Sequence, residues 1–254
     1  MSQVSDTSVL LDHIALAVPD DAEVGPLLGT KLGGRAAKAG PGRGFRFWQW
    51  EYANGGRLEI LRPDGPPDGF LHRFLDRRGP GFHHVTFKVP DLQRATKRAS
   101  DAGYEVVGVD LSDPTWKEAF LHPRRAGGIV VQFAEEHEEP DNLSRTHLAY
   151  RPPPRPEVEL VGLRMRARDP ETARAQWETL LGARCREEAG LLLFHWPDSP
   201  LRIAVQIDAR ASEGPVAIEV SAPDSIDLPE APDPVLGVRF TRVPRAAATE
   251  DHPA

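Results

Sequence analysis

Two histidines, a carboxylate and an amide stand at matching places in a duplicated stretch of this sequence. The segment LDHIALAVPDD, Leu11 to Asp21, returns as FHHVTFKVPDL, Phe82 to Leu92. The match sets His13 over His84, Leu16 over Phe87, Val18 over Val89 and Pro19-Asp20 over Pro90-Asp91. Agreement along a whole pattern marks an internal repeat. Glu59 and Gln132 each fall near the middle of the last strand expected in their copy. If the copies pair about a pseudo-twofold axis, the two histidines meet and Glu59 comes beside Gln132. Two neutral imidazoles, one carboxylate and one amide oxygen can hold a divalent ion (Zn, Mn, Co, Ni or Fe) and leave positions open for substrate or water. Such a centre carries net positive charge and polarises a carbonyl or enolate oxygen. Glu59 is also a candidate for moving a proton.

A single histidine on a strand is more often a surface or hydrogen-bonded residue than a ligand. The repetition reverses that expectation for His13 and His84, whose strand faces are otherwise small or polar. Glu59 lies between Leu58 and Ile60, the mark of a covered strand. Gln132 lies between Val131 and Phe133, where a lone amide needs a partner; it is either a ligand or a donor to one. Strand alternation turns His83 away from His84 and makes it a poor ligand. His72 and His122 fall in helix-like and turn contexts, and Arg124-Arg125 in a solvated turn. Trp48 and Trp50 share a strand face that either lines the site or packs.

The elements that must position these residues follow from periodicity. Ile14, Leu16 and Val18 alternate with His13, Ala15 and Ala17, and Val85, Phe87 and Val89 with His84, Thr86 and Lys88, as half-buried strands should. After each Pro-Asp pair, where Asp can cap a helix, come helical segments that stop at Gly33 and Gly103. Strands then resume, in the first copy as RGFRFWQWEY, an Asn54-Gly55 hairpin signal and GRLEIL. In the second copy they are YEVVGVDL, EAFLHP and GGIVVQFAE. Each module reads βαβββ, so the fold class is α+β: paired modules forming a cup-shaped half-barrel sheet with helices outside.

A weaker third copy starts near Val158, with Gly162 at the place of His13 and Asp169 at that of Asp20. A shortened fourth starts at GPVAIEVSAPD, with Ala217 at the place of His84. The expected organisation is a metal-binding domain over 1–138, a proline-rich linker over 139–157, a degenerate domain without ligands over 158–244 and a disordered tail over 245–254.

With 254 residues, 40% hydrophobic and 27% charged, the chain can bury a real core. A net charge of −7 argues against nucleic acid as a partner, and no apolar run reaches membrane-spanning length. Cys185 is the single cysteine, which rules out an intramolecular disulfide and a cysteine-based zinc site and suits a reducing compartment. The N-terminal segment lacks the pattern of a secretory signal. The expected setting is cytoplasmic, with a small-molecule substrate and a monomer or homodimer as the assembly.

The motifs LDHIALAVPD, GFHHVTFKVPDL, GGRLEIL and FLHPRRAGGIVVQFAE resemble the vicinal oxygen chelate superfamily. It includes glyoxalase I, methylmalonyl-CoA epimerase, extradiol dioxygenases and bleomycin- or fosfomycin-resistance proteins. The resemblance covers about residues 9–138, is closest to the epimerase-like members, and extends beyond 157 at the level of the fold. It implies two such domains and a divalent metal in the cup of the first. The epimerase order of ligands is His, Gln, His, Glu; here it is His13, Glu59, His84, Gln132, with carboxylate and amide exchanged between modules. The exchange preserves the charge of the site and mirrors its layout. No residue on an earlier strand clearly matches the epimerases' further base, Glu51 being only a nearby candidate. The second half would cover what a dimer partner covers in shorter relatives.

These features imply a metal-dependent isomerase or lyase that chelates a small oxygenated substrate and stabilises an enediolate-type intermediate. An Fe(II) extradiol-type dioxygenase is the alternative from the two-His-one-carboxylate set. A non-catalytic ligand-binding or resistance-type protein is the alternative from a different class.

Overall fold

The computed structural model describes residues 9–137, 157–229 and 231–245. Eight strands form the first sheet: β1 (Leu10–Ala17), β2 (Arg35–Gly42), β3 (Phe45–Glu51), β4 (Arg57–Pro63), β5 (Gly81–Lys88), β6 (Val106–Asp110), β7 (Trp116–Leu121) and β8 (Val130–Glu136). Their order is β2-β3-β4-β1-β5-β8-β7-β6. It is symmetric about the antiparallel β1–β5 pair, with β4 parallel to β1 and β8 parallel to β5. This is the expected pairing of two modules. Ile14, Leu16, Val85 and Phe87 are fully buried on the back of the sheet, so the alternating apolar positions become core.

The module helices pack on that back face. The first is a π-helical segment, Gly25–Lys31, and its chain leaves through Gly33 at φ 72°. Between the modules lies α1 (Phe70–Arg78), and the second module helix is α2 (Leu92–Asp101). Asp91 caps α2, accepting the Arg94 amide at 2.8 Å, and Gly103 follows at φ 84°, a left-handed conformation that glycine adopts without penalty.

Helix α1 stands where His72 was read as helix-like, outside the expected βαβββ modules, and it lies on the other face. Leu71 is buried with Ala15, Ala17 and Leu61, and Phe45, Phe47, Phe74 and Leu75 pack around them. Ala15, Ala17 and Leu61 belong to the cup side of β1 and β4, so α1 closes one end of the cup while the module helices stay outside, as expected. The residues that build it are spaced for one apolar face (Leu71, Phe74, Leu75), and Gly79 ends it at φ 70°.

A second sheet follows: β9 (Glu159–Ala167), β10 (Arg184–Glu188), β11 (Leu191–His195), β12 (Arg202–Ile207), β13 (Gly214–Ser221) and β14 (Arg239–Arg242), in the order β10-β11-β12-β9-β13-β14. The third module keeps its helix as α3 (Pro170–Arg174) and a π-helical continuation, Ala175–Leu180. The fourth has no helix between β13 and β14, the shortening expected from its length. Both sheets are open, and their back faces contribute to one buried cluster.

That shared core is pinned by specific contacts. Phe87 on β5 meets the Trp196 ring edge-on at 4.9 Å, and Trp196 donates its indole N–H to the Leu181 carbonyl at 2.7 Å. The Asn54 side chain spans the halves, donating to the Leu160 carbonyl at 2.8 Å and accepting its amide at 3.2 Å. Trp50 packs on the core side, and the guanidinium groups of Arg46 and Arg62 lie against Trp48, so neither tryptophan lines the cup. The linker expected over 139–157 lies outside the described residues except for Glu157, and the tail expected over 245–254 except for Arg245. Among the described residues no helix is long and apolar enough to cross a membrane.

Candidate metal centre

The cup side of β1 and β5 is set by two irregularities at equivalent places. Along the β1–β5 ladder, Leu11 pairs with Phe87 and His13 with Thr86, so Asp12 is an extra residue; likewise Ala15 pairs with His84 and Leu16 with Phe82, so His83 is extra. Each is a β-bulge, which shifts the parity of the strand and re-aims side chains. Leu11 and Phe82 consequently turn back toward the core, while Asp12 and His83 stay on the cup side beside His13 and His84. The expectation that His83 points away from His84 is therefore wrong: its Nδ1 lies 2.8 Å from Nδ1 of His84. Strict alternation fails at a bulge.

Both bulged residues act on Nδ1 of the next histidine. Asp12 Oδ2 lies 2.7 Å from His13 Nδ1, and His83 holds His84 in the same way. Each ring is thus oriented with Nε2 toward the centre of the cup. Glu59, from β4, brings Oε1 to 3.5 Å from His13 Nε2 and 3.9 Å from His84 Nε2. One potential ligand atom from each of these residues lies within 4.8 Å of the others, and all three residues are buried. Thr86 Oγ1 lies 2.9 Å from His13 Nε2 and donates to Gln132 Oε1 at 2.6 Å. The structure therefore brings all four expected residues into one cluster, Gln132 joining through Thr86.

The electrostatics suit a cation. Burial alone would push the His13 pKa down, but the carboxylates of Glu59 and Asp12 outweigh it and raise it to about 9. Burial and the neighbouring rings of His83 and His13 hold His84 well below the usual histidine range. Burial likewise lowers His83 to about 4, against a weaker pull from Glu59. A neutral His83 can accept the N–H of His84 Nδ1, which leaves His84 Nε2 with its lone pair free. That Nε2 is fully buried and makes no hydrogen bond. A buried nitrogen with no partner, facing a carboxylate and a second imidazole nitrogen, fits a divalent ion.

Around the cluster stand two amide–carboxylate pairs in opposite order. In the first module Gln49 on β3 donates to Glu59 Oε2 at 2.9 Å. In the second, Gln132 on β8 donates to Glu118 Oε2 on β7 at 2.7 Å, and the Trp116 indole donates to the same oxygen at 3.1 Å. Sequence reasoning missed Asp12, Gln49, Thr86 and Glu118. Thr86 was legible by alternation from His84; Asp12 was not, because strict alternation turns it, like its counterpart His83, away from the site; Gln49 and Glu118 had no signal. His72 lies on α1, and His122 and the Arg124-Arg125 pair lie at the turn after β7.

The second half keeps the frame without the candidate ligands. Val161 and Val216 are passed over in the β9–β13 ladder at the places of Asp12 and His83, so both bulges persist. Gly162 and Ala217 stand at the histidine positions, and Ala204 and Thr241 match Glu59 and Gln132 in register. The cup is filled instead by Glu219, fully buried, with Arg164 at 2.7 Å and Arg202 at 2.8 Å. Guanidinium charge stands where the first half would hold an ion.

Residues 12–120 match the Glyoxalase/Bleomycin resistance protein/Dioxygenase superfamily. The ethylmalonyl-CoA/methylmalonyl-CoA epimerase of Cereibacter sphaeroides is 30% identical over 135 residues, covering 49% of this chain and 96% of that protein. The mitochondrial methylmalonyl-CoA epimerase of Homo sapiens is 27% identical over 135 residues, covering 49% of this chain and 73% of that protein. The crystal structure of a hypothetical protein from Staphylococcus aureus aligns with 92% of this chain and 100% of its own at a TM-score of 0.62 and 11% identity. That likeness spans both halves and is one of fold.

Proposed function

The chain belongs to the glyoxalase/bleomycin resistance protein/dioxygenase superfamily, and from that premise we propose that its first half is a metal-dependent enzyme that enolises a small carbonyl substrate. The observation that carries the proposal is the buried convergence of His13, Glu59 and His84 with the unpartnered His84 Nε2. These three residues would hold the ion, with Gln132 a fourth ligand or a neighbour acting through Thr86. When bound, a divalent ion there supplies positive charge that polarises a substrate oxygen.

The chain's own groups do the rest. Asp12 and His83 fix both imidazoles through Nδ1, which keeps the donor atoms in place before substrate arrives. Gln49 fixes Glu59 through Oε2. Glu59 supplies the single negative charge of the set, so the site stays cationic overall and favours an anionic, enolate-like state. Helix α1 and the rings of Phe70 and Phe74, at 5.9 and 4.9 Å from His83, shield one end of the cup from water. The epimerase relatives support a thioester with an acidic carbon beside its carbonyl as the substrate class.

The test combines metal content with deuterium exchange. Wild-type protein should bind one zinc, manganese, cobalt or nickel ion per chain, and His13→Ala should lose it. The loaded protein should replace the α-proton of methylmalonyl-CoA with deuterium in D2O, followed by proton NMR. Absence of metal binding, or metal retained by His13→Ala, would remove the proposal. The same two-His-one-carboxylate set favours a second reading, an Fe(II) extradiol-type dioxygenase, which predicts oxygen uptake with catechols after anaerobic Fe(II) loading.

A further inference from the structure

We infer that Glu118 is the catalytic carboxylate that takes the proton from the substrate carbon; the inference rests on the enolisation reading above. Glu59 was the expected proton carrier, but both of its oxygens are engaged: Oε1 faces the two histidine nitrogens and Oε2 accepts from Gln49. Another group is needed, and the cup offers few. Asp12 is paired with Arg57 and Lys88 as well as His13. Glu51 is paired with Arg35 and Arg57, and Glu136 with Lys38 and Lys88. A carboxylate committed to a lysine or arginine is a poor proton acceptor, because that cation stabilises its charged form.

Glu118 differs from all of these. Ala119 and Leu121 on β7 are buried in the core, so Trp116, Glu118 and Phe120 face the cup. Among the described residues no lysine or arginine lies within ion-pair distance of Glu118. Its two donors, the Gln132 amide and the Trp116 indole, are neutral, and both meet Oε2. The same Gln132 amide points its oxygen at Thr86 and the ligand cluster. One amide therefore fixes Glu118 beside the site of the ion and leaves Oε1 available to substrate. It stands on the second module's wall, across the cup from Glu59.

In the step, the C–H bond beside the substrate carbonyl breaks and an O–H bond forms on Glu118. The electron pair moves into the carbonyl, whose oxygen becomes the enolate oxygen. Return of the proton to carbon, after exchange of Glu118 with solvent, completes deuterium incorporation with no net redox change.

The experiment compares wild type with Glu118→Gln, which keeps the volume and an acceptor for both donors. Expected are unchanged metal content, a KM within about threefold, and deuterium exchange at least 100-fold slower, the lower end of what a positioned general base supplies. A second readout is calorimetric binding of a nitronate-bearing acyl-CoA, an anionic mimic of the enolate. Glu118→Gln should bind it at least as tightly as wild type, since the amide resembles the protonated acid of the intermediate, whereas a merely structural Glu118 predicts weaker binding. Exchange within threefold of an active wild type, or weakened binding of the mimic, overturns the role of Glu118 and leaves the enolisation reading standing. A metal-loaded wild type that exchanges no deuterium overturns both.

Discussion

Replacing Trp196 tests whether the second half is part of the machinery of the first. Trp196 is 2% exposed, and it packs behind the strand that carries His84 and Thr86, because Phe87 on that strand faces the opposite way and meets its ring at 4.9 Å. Trp196→Ala removes a large buried side chain, a change that costs about 3–5 kcal/mol in a core that relaxes only partly. The edge-on contact with Phe87 accounts for about 0.5–1.5 kcal/mol of this. The Leu181 carbonyl also loses its donor, at about 1–3 kcal/mol, a loss that Trp196→Phe shares while keeping a smaller ring in place. Against a total of about 5–15 kcal/mol for a typical domain, the alanine variant should be close to unfolding. Urea titrations followed by tryptophan fluorescence and by bound cobalt absorption would read the whole chain and the first half separately. The expected result is one transition in both signals, moved to lower urea in the order wild type, Trp196→Phe, Trp196→Ala. A cobalt signal whose midpoint does not move would refute the claim that the second sheet supports the ligand strand.

Three other outcomes follow from the geometry. Asp12→Asn keeps an acceptor for His13 Nδ1 but removes its charge, and should weaken zinc binding about 10- to 100-fold, measured by competition with a chelator; equal affinity would show that Asp12 does not support the site. Gly128→Ala places a Cβ 2.7 Å from the Glu213 carbonyl at a φ of +80°, so it should destabilise by more than about 1 kcal/mol, read as a lower melting temperature. Glu135 would be raised by burial, but the Leu92 amide, Lys117 and His137 outweigh this and hold its pKa at about 2. Its folded pKa lies below the unfolded one, so its contribution is present above about pH 4.5 and is lost as pH falls toward 2; Glu135→Gln should flatten that part of an acid-unfolding profile.

The paired modules were legible because a repeat and an alternation of period two survive in the residues themselves. His13 and His84, with Glu59 and Gln132, could be placed on one surface by symmetry alone. The faces of Leu11, Asp12, Phe82 and His83 could not, because each bulge inserts one residue and reverses parity, and nothing in the residue types announces it. Helix α1 was read only as a helix-like context at His72, and its place on the cup was missed for a different reason. Its apolar face is short and sits between Gly69 and Gly79, a stretch that reads as a connection until Ala15, Ala17 and Leu61 supply the surface it covers. The pairing of Gln132 with Glu118 depends on the β7–β8 register, a long-range fact that local pattern does not carry.

The extra residues at 12 and 83 have a consequence for how this chain tolerates change. Deleting either would bring Leu11 next to His13, or Phe82 next to His84, in plain alternation, so each apolar side chain would keep its side and the hollow would lose the group that holds the neighbouring imidazole. Loss of the residue would therefore straighten the strand at that point and leave an imidazole without its Nδ1 partner, with the faces on either side unchanged. That both offsets occur in the later half, where glycine and alanine stand at the histidine positions, shows that the bend they impose is kept without any histidine to aim.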